Sequence, residues 1–205
     1  MILGNAVLAT GLLASQTDVQ RLQQRLRALH YDPGAADGRF RVSTLRAVWA
    51  FQAVHGLRRT GVVDRPLWSR LAAPEPPREL KAKGRADRVE VDLKRHVMVV
   101  YRKKRVALIS HISGGSGKRY CAGGRCTIAR TPTGDFRVIR RIDGWREARL
   151  GRLYKPLYFQ GGYAVHGARS VPRGHASHGC VRIPMSTANR FARIVKNGTP
   201  VHIRR

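Results

Sequence analysis

Between Tyr163 and Ile183 the chain gathers one thiol, Cys180, three imidazoles, His166, His175 and His178, and glycines that free the backbone. A thiol beside an imidazole is a candidate nucleophile with its base. A free cysteine titrates near ~8.5, so only a few per cent is thiolate at neutral pH. An imidazole within hydrogen-bond reach can pull that value down by several units. His166 lies in an apolar run that reads as a strand, a rigid place for a base. His178 is two residues from Cys180 and would face the same side on an extended segment, but not on a turn. Gly179 would let the N–H groups of Gly179 and Cys180 turn towards a developing oxyanion. Spacing alone leaves two other chemistries open. His175, His178 and Cys180 offer zinc two imidazoles and a thiol, and a lone cysteine is commonly a small buried hydrophobe. Cys121 and Cys126, far from this turn and at the wide limit of ligand spacing, weigh against zinc.

These side chains need a rigid frame. Arg88–Asp92 and His96–Tyr101 alternate at a period of two and are predicted strands, and Val106–Ile112 continues them into a meander. Gly114–Gly117 opens the loop holding Cys121 and Cys126, Thr131–Gly134 is a turn, and Phe136–Ile142 is a further strand. Pro184 precedes a helix that Ser186 or Thr187 can cap, with Ala188, Phe191, Ala192 and Val195 on its apolar face and Asn197-Gly198 as its stop. Pro200–Ile203 closes the domain as a strand. Residues 87–205 are therefore expected to form a mostly antiparallel β domain, a curved sandwich or open barrel.

Residues 16–72 are expected to form a small three-helix bundle, which makes the fold class α+β. Thr17 and Gln20 fit a capping box, followed by Val19, Leu22, Leu26 and Leu29 at helical spacing. Ser43 is the expected cap of a second helix carrying Leu45, Val48, Trp49 and Phe51. Gly56-Leu57 ends it. Asp64 caps a third helix with Leu67, Trp68 and Leu71. The intervening residues 73–86 form a linker, proline-rich at first and therefore extended and semi-rigid, then basic.

The charge balance is extreme: 40 Lys and Arg against 12 Asp and Glu give +28 over 205 residues. Such a field attracts polyanions, and phosphate-rich wall polymers or anionic membranes satisfy it as well as nucleic acid does. No basic tail or interleaved aromatic ladder is present, so specific nucleic-acid binding is not expected. Cys121 and Cys126 are close enough for a small disulfide loop in an exported protein, or thiols in a reducing compartment, which leaves Cys180 as the odd, reactive one. Met1–Ser15 is apolar like the core of a secretion signal but lacks its basic start and clear cleavage pattern. It is too short to span a bilayer, and no other stretch is a transmembrane span.

Two resemblances organise these observations. Val19–Leu26, Asp37-Gly38-Arg39-Phe40, Thr44, Ala47-Val48, Phe51-Gln52, Gly56-Leu57, Gly61-Val62-Val63 and Leu67-Trp68 resemble the small peptidoglycan-binding domain found beside wall enzymes, with Arg41 where that family often has glycine. Thr131–Gly134, Tyr163–Gly167 and Ser177–Arg182 resemble the signature of the L,D-transpeptidase catalytic domain (YkuD-type). The resemblance implies cysteine-dependent acyl transfer in wall assembly, with no cofactor and no metal. Cys180 would attack the carbonyl of the third stem-peptide residue, a diamino acid, and release the terminal D-alanine. An amine of a second stem would resolve the thioester into a cross-link, whereas water would make the enzyme a carboxypeptidase. The same likeness implies His166 as general base, held by Gly167, and Ser177, His178 and Gly179 as the frame of the oxyanion turn. It makes Arg182 a partner for a substrate carboxylate, and Tyr158 with Phe159 a lining of the cleft. The Cys121/Cys126 loop, outside that signature, would brace a loop near the cleft. The implied setting is the cell envelope, with peptidoglycan stems and glycan as partners. The other class to weigh is a non-catalytic wall- or polyanion-binding protein whose Cys/His turn is structural or holds zinc.

Overall fold

The computed structural model describes residues 15–205, so the secretion-signal-like reading of the first residues lies outside it apart from Ser15. Three helices come first, α1 (Gln16–Ala28), α2 (Val42–Val54) and α3 (Arg65–Ala72). The cap of α1 is Ser15 rather than Thr17. Its side chain accepts from Asp18 N–H while Asp18 accepts from Ser15 N–H, the reciprocal arrangement two residues earlier than expected. α2 begins without a side-chain cap at Arg41, so Ser43 lies inside the helix. Arg41 instead pairs with Asp37 at 2.6 Å. Asp64 caps α3 as read, accepting from Leu67 N–H at 3.0 Å. Gly56 ends α2 at φ +68° with Leu57 N–H on Gln52 O, a Schellman stop.

The remainder is two five-stranded sheets and a small hairpin. The first sheet runs β3 (Arg105–His111), β2 (Val97–Arg102), β1 (Arg88–Asp92), β12 (Pro200–Arg204) and β6 (Gly134–Arg137), with only β1–β12 parallel. The second runs β11 (Val181–Pro184), β10 (Tyr163–Ala168), β9 (Gly151–Gln160) and β7 (Arg140–Arg141), with β8 (Trp145–Ala148) also on β9. β4 (Arg119–Ala122) and β5 (Arg125–Ile128) form the hairpin, and α4 (Met185–Ile194) packs on β9, β10 and β11. The expected single strand Phe136–Ile142 is in fact two: β6 pairs with β12 in one sheet and β7 with β9 in the other. Between them Val138 enters the core and hydrogen-bonds through its N–H to Thr199 O, which turns the chain from sheet to sheet. Neither Ser186 nor Thr187 caps α4; their hydroxyls donate to Asp32 at 3.0 and 2.9 Å.

Alternation along β2 decides how the parts join. Met98 and Val100 point into the core between the sheets, with Val89, Val91, Val165, Val181, Ile183 and Phe191. Val97, Val99 and Tyr101 point the other way and pack, with Ile109, against Leu22, Leu26, Phe51 and Leu67 of the helices. The first sheet is thus apolar on both faces, and the helical bundle is a third layer laid on it. Burial of this shared cluster removes apolar surface of both layers from water and so favours their docking. The linker is itself pinned: Leu80 N–H donates to Glu90 at 2.7 Å, and Glu90 is held by the buried Arg88 at 2.6 Å. Among the described residues no helix is long and apolar enough to cross a membrane.

Candidate active site

β10 and β11 are adjacent and parallel, with Val165 opposite Val181 and His166 opposite Arg182. The period of two sends Val165, Val181 and Ile183 into the main core. Ala164 takes the opposite face, where it forms a small cluster with Leu153 and Tyr158 against which Cys180 packs. His166, two residues along from Ala164, shares that face. The thiol lies 3.7 Å from Gly162 O.

His166 is 5% exposed, and its Nδ1 is 2.9 Å from Gly167 O. A carbonyl can only accept, so Nδ1 carries the proton and Nε2 keeps the lone pair. Burial pushes the ring's pKa down to about 4; the Gly167 carbonyl opposes this and the Arg182 guanidinium adds to it. The imidazole is therefore neutral at pH 7 and able to take a proton. Gly167 has a second constraint, since a Cβ there would stand 2.8 Å from Ala188 Cβ on α4.

The expectation of a lowered thiol pKa is overturned. Burial raises Cys180, and the opposing effects of the Ala164 backbone N–H and the Arg182 charge are smaller. A neutral imidazole adds no positive charge to favour the thiolate, so the resting pair is thiol and imidazole.

The turn before β11 is tied by Ser177, which donates to Cys180 O at 2.6 Å and accepts from Gly179 N–H at 3.0 Å. This corrects the expected pair of oxyanion donors. Gly179 N–H is already spent on Ser177, whereas Cys180 N–H has no acceptor among the described residues. Gly179 holds φ +141°, and a Cβ would lie 2.5 Å from the Tyr163 ring and 2.9 Å from Arg130 O. Exposed His178 points outward, its ring edge-on to Tyr120 of β4 at 4.7 Å. Cys121 and Cys126 face each other across the β4–β5 hairpin and are joined by a disulfide. That hairpin therefore stands beside the turn. Arg182 is half-buried and makes no ion pair among the described residues. Tyr158 is buried beneath the Arg140 guanidinium, 4.2 Å from its centroid. Phe159, the next residue, faces the opposite way into the core against Phe136, so it does not line the cleft.

The zinc arrangement does not form. His175 spends both ring nitrogens on the backbone, accepting from Gly114 N–H at 2.8 Å and donating to Leu93 O at 2.9 Å. No group of three His, Cys, Asp or Glu among the described residues is placed to hold a metal. His175 is instead a brace, and other braces join it, of which Thr131 lies in the motif read from the sequence while Ser113, Arg46 and Arg59 carried no sequence signal. Thr131 Oγ1 accepts from Gly115 N–H, and Gly115 bridges to Ser177. Ser113 Oγ donates to Gly174 O and accepts from Ala176 N–H. From the helical layer, Arg46 donates to Val171 O at 3.1 Å and Arg59 to Arg173 O at 2.7 Å.

Both parts of the chain resemble known proteins. Residues 86–203 match the family model of the L,D-transpeptidase catalytic domain, and residues 15–71 that of a putative peptidoglycan binding domain. The chain is similar to an L,D-transpeptidase from Xylanimonas cellulosilytica, at 38% identity and TM-score 0.87 over 93% of this chain and 95% of that one. It shares its fold with an L,D-transpeptidase from Stackebrandtia nassauensis, at 19% identity and TM-score 0.54 over 91% and 90% of the two chains. An L,D-transpeptidase mutant from Enterococcus faecium aligns at 22% identity and TM-score 0.50 over 58% of this chain and 50% of that one. No curated protein matches the chain.

Proposed function

Because this chain belongs to the L,D-transpeptidase family and carries a peptidoglycan-binding module, we propose that it cross-links peptidoglycan stems with Cys180 as nucleophile and His166 as base. The observation that carries the proposal is the Nδ1–Gly167 O bond, which leaves Nε2 as the basic atom of a neutral ring.

The thiol proton passes to His166 Nε2 as sulfur attacks the carbonyl of the third stem residue. Cys180 N–H is the donor available to the oxyanion, and Ser177 holds the turn that aims it. The intermediate collapses, the imidazolium returns its proton to the departing D-alanine amine, and a thioester remains on Cys180. A second stem's side-chain amine attacks that thioester and gives a proton to His166. Collapse forms the new amide and regenerates the thiol. Arg182, next to both groups, pairs with a donor-stem carboxylate, and buried Tyr158 supports the floor under Cys180.

The disulfide fits an oxidising envelope and hence export. The charge of +28 suits an anionic wall and the polymers in it.

Incubation with defined tetrapeptide stems tests the reading. The wild type should give dimers with release of D-alanine, and Cys180→Ala and His166→Ala should each lose roughly 1,000-fold or more of that rate. Undiminished dimer formation by Cys180→Ala would sink it. Tripeptides without dimers would make the enzyme a carboxypeptidase.

A further inference from the structure

The helical layer has two working faces. α2 is the helix that docks on β2 and β3. Between α1 and α3 lies a groove of about 630 Å3, lined by residues of the helical layer alone. It joins an aromatic face to a row of polar side chains. Half-buried Trp68 stands on the α3 side, beside the apolar Leu71. Asp18, Arg21, Gln24 and Arg25 stand on the α1 side at spacings that set them along one helical stripe.

Not all of these polar groups are free. Asp18 is used in the α1 cap, and Arg25 Nε donates to Leu71 O at 2.8 Å, which ties the two helices and fixes the width of the groove. Exposed Arg21 and Gln24 make no hydrogen bond among the described residues. Arg21 overlies Trp68 only loosely, at 5.4 Å from the ring centroid, against 3.7 Å for the buried Arg88 over Tyr101. The indole face can thus exchange its cover for a ligand without breaking a tight contact.

A flat apolar ring flanked by unspent donors and acceptors suits one chemistry in particular. A pyranose offers an apolar C–H face to an aromatic ring and, at its edge, hydroxyl and acetamido groups that seek hydrogen bonds. A nucleotide or phosphopolymer would call for converging cations without a neutral amide, and here Asp18 stands among them.

We propose that this α1–α3 groove is the glycan subsite of the helical module, taking the N-acetylhexosamine backbone of peptidoglycan with Trp68 as stacking platform and Arg21 and Gln24 as edge contacts. This rests on the reading that the module binds peptidoglycan. The site sits on the module itself and not on the catalytic cleft, so the enzyme can hold a strand while the cleft samples the stems attached to it.

The test uses the whole protein and glycan strands stripped of their stem peptides, with binding followed by sedimentation and by tryptophan fluorescence. Trp68→Ala and the double variant Arg21→Ala/Gln24→Ala should each lose about tenfold or more in affinity, whereas Trp68→Phe should keep most of it. Cross-linking of short soluble stems should be unchanged in all of them. The double variant guards against misfolding, because both side chains are exposed. If the wild type binds the strands and the double and Trp68 variants bind them equally well, the groove is not the subsite although the module reading stands. If the wild type itself does not bind them, the module reading fails and the groove falls with it.

Discussion

Arg46 Nε, on α2, donates a 3.1 Å hydrogen bond to the carbonyl of Val171, 125 residues further along the chain and in the loop between His166 and Cys180. The helical layer therefore holds the loop between His166 and Cys180 directly. Arg59 repeats the contact at Arg173 O, and Arg173 returns a bond to Arg59 O at 3.2 Å.

Removing both anchors should loosen residues 171–176 without unfolding the chain. Arg46→Ala/Arg59→Ala is expected to lower kcat for stem cross-linking by about tenfold or more, since a displacement near 1 Å at reacting groups is costly. KM should move little, and the loss of stability should be about 1–3 kcal/mol. Arg58→Ala, exposed and without a hydrogen bond to this loop, should change neither. Equal kinetics for the double variant and Arg58→Ala would refute the brace.

Four buried or half-buried histidines give the fold an acid weakness. His166 and His111 are each pushed down to about 4, His96 to about 3, and His175 in the same direction, in every case chiefly by burial. The ordinary value is 6.5, so on acidification the unfolded chain takes up protons that the folded one refuses. Stability is unaffected above pH 6.5 and is lost as the pH falls from there towards about 4. For His166 alone the loss is on the order of 3 kcal/mol. Thermal melts from pH 7.5 to 4.5 should show a falling Tm; a flat profile would mean these rings are not buried.

The same displacement bears on the rate. The acid limb of kcat/KM, which reports the free enzyme's base, should lie nearer pH 4 than 6.5. A limb at 6.5 would argue against His166 as the base in this environment.

Gly179 is the most demanding backbone position in the turn. Gly179→Ala must place a methyl 2.5 Å from the Tyr163 ring at φ +141°, so the turn must shift. Strain of about 1–3 kcal/mol is expected, with cross-linking falling by about 100-fold as Cys180 N–H loses its aim. Gly174→Ala, where a Cβ meets nothing within 4 Å, is the control.

Cys121→Ser/Cys126→Ser tests the hairpin. Among the described residues β4 and β5 pair only with each other, so cutting the disulfide should leave the Tm nearly unchanged. Tyr120 sits on that hairpin against His178, so kcat/KM should nevertheless drop several-fold, on the order of 1 kcal/mol. An unchanged kcat/KM would make the hairpin a bystander.

Much of the frame was legible because it rests on local pattern. The three-strand meander shows its alternation, Asp64 its cap, and Gly56 its stop, each a matter of a few neighbouring residues. Elements without such a pattern were missed. β5 (Arg-Cys-Thr-Ile) and β8 (Trp-Arg-Glu-Ala) are four residues long and exposed throughout, so neither shows a buried apolar face. The split of Phe136–Ile142 was hidden because each half is paired by a different partner strand. The early cap at Ser15 escaped because Asp at N3 closes the box as well as the Glu or Gln the pattern looks for.

By itself the sequence picked out the candidate reactive set, Cys180, His166 and the glycine-bearing turn between them, and two modules in order. Residue type and spacing are local, and so is the chemistry they allow. Only the tertiary structure decided the state of that chemistry, because burial and long-range hydrogen bonds set it. It put the lone pair on Nε2, kept Cys180 a thiol, and took Gly179 N–H out of the oxyanion pair. It also decided that the helical module is not a tethered neighbour. The two-sided apolar pattern of β2 needs a cover on each face, and the helices supply one of them.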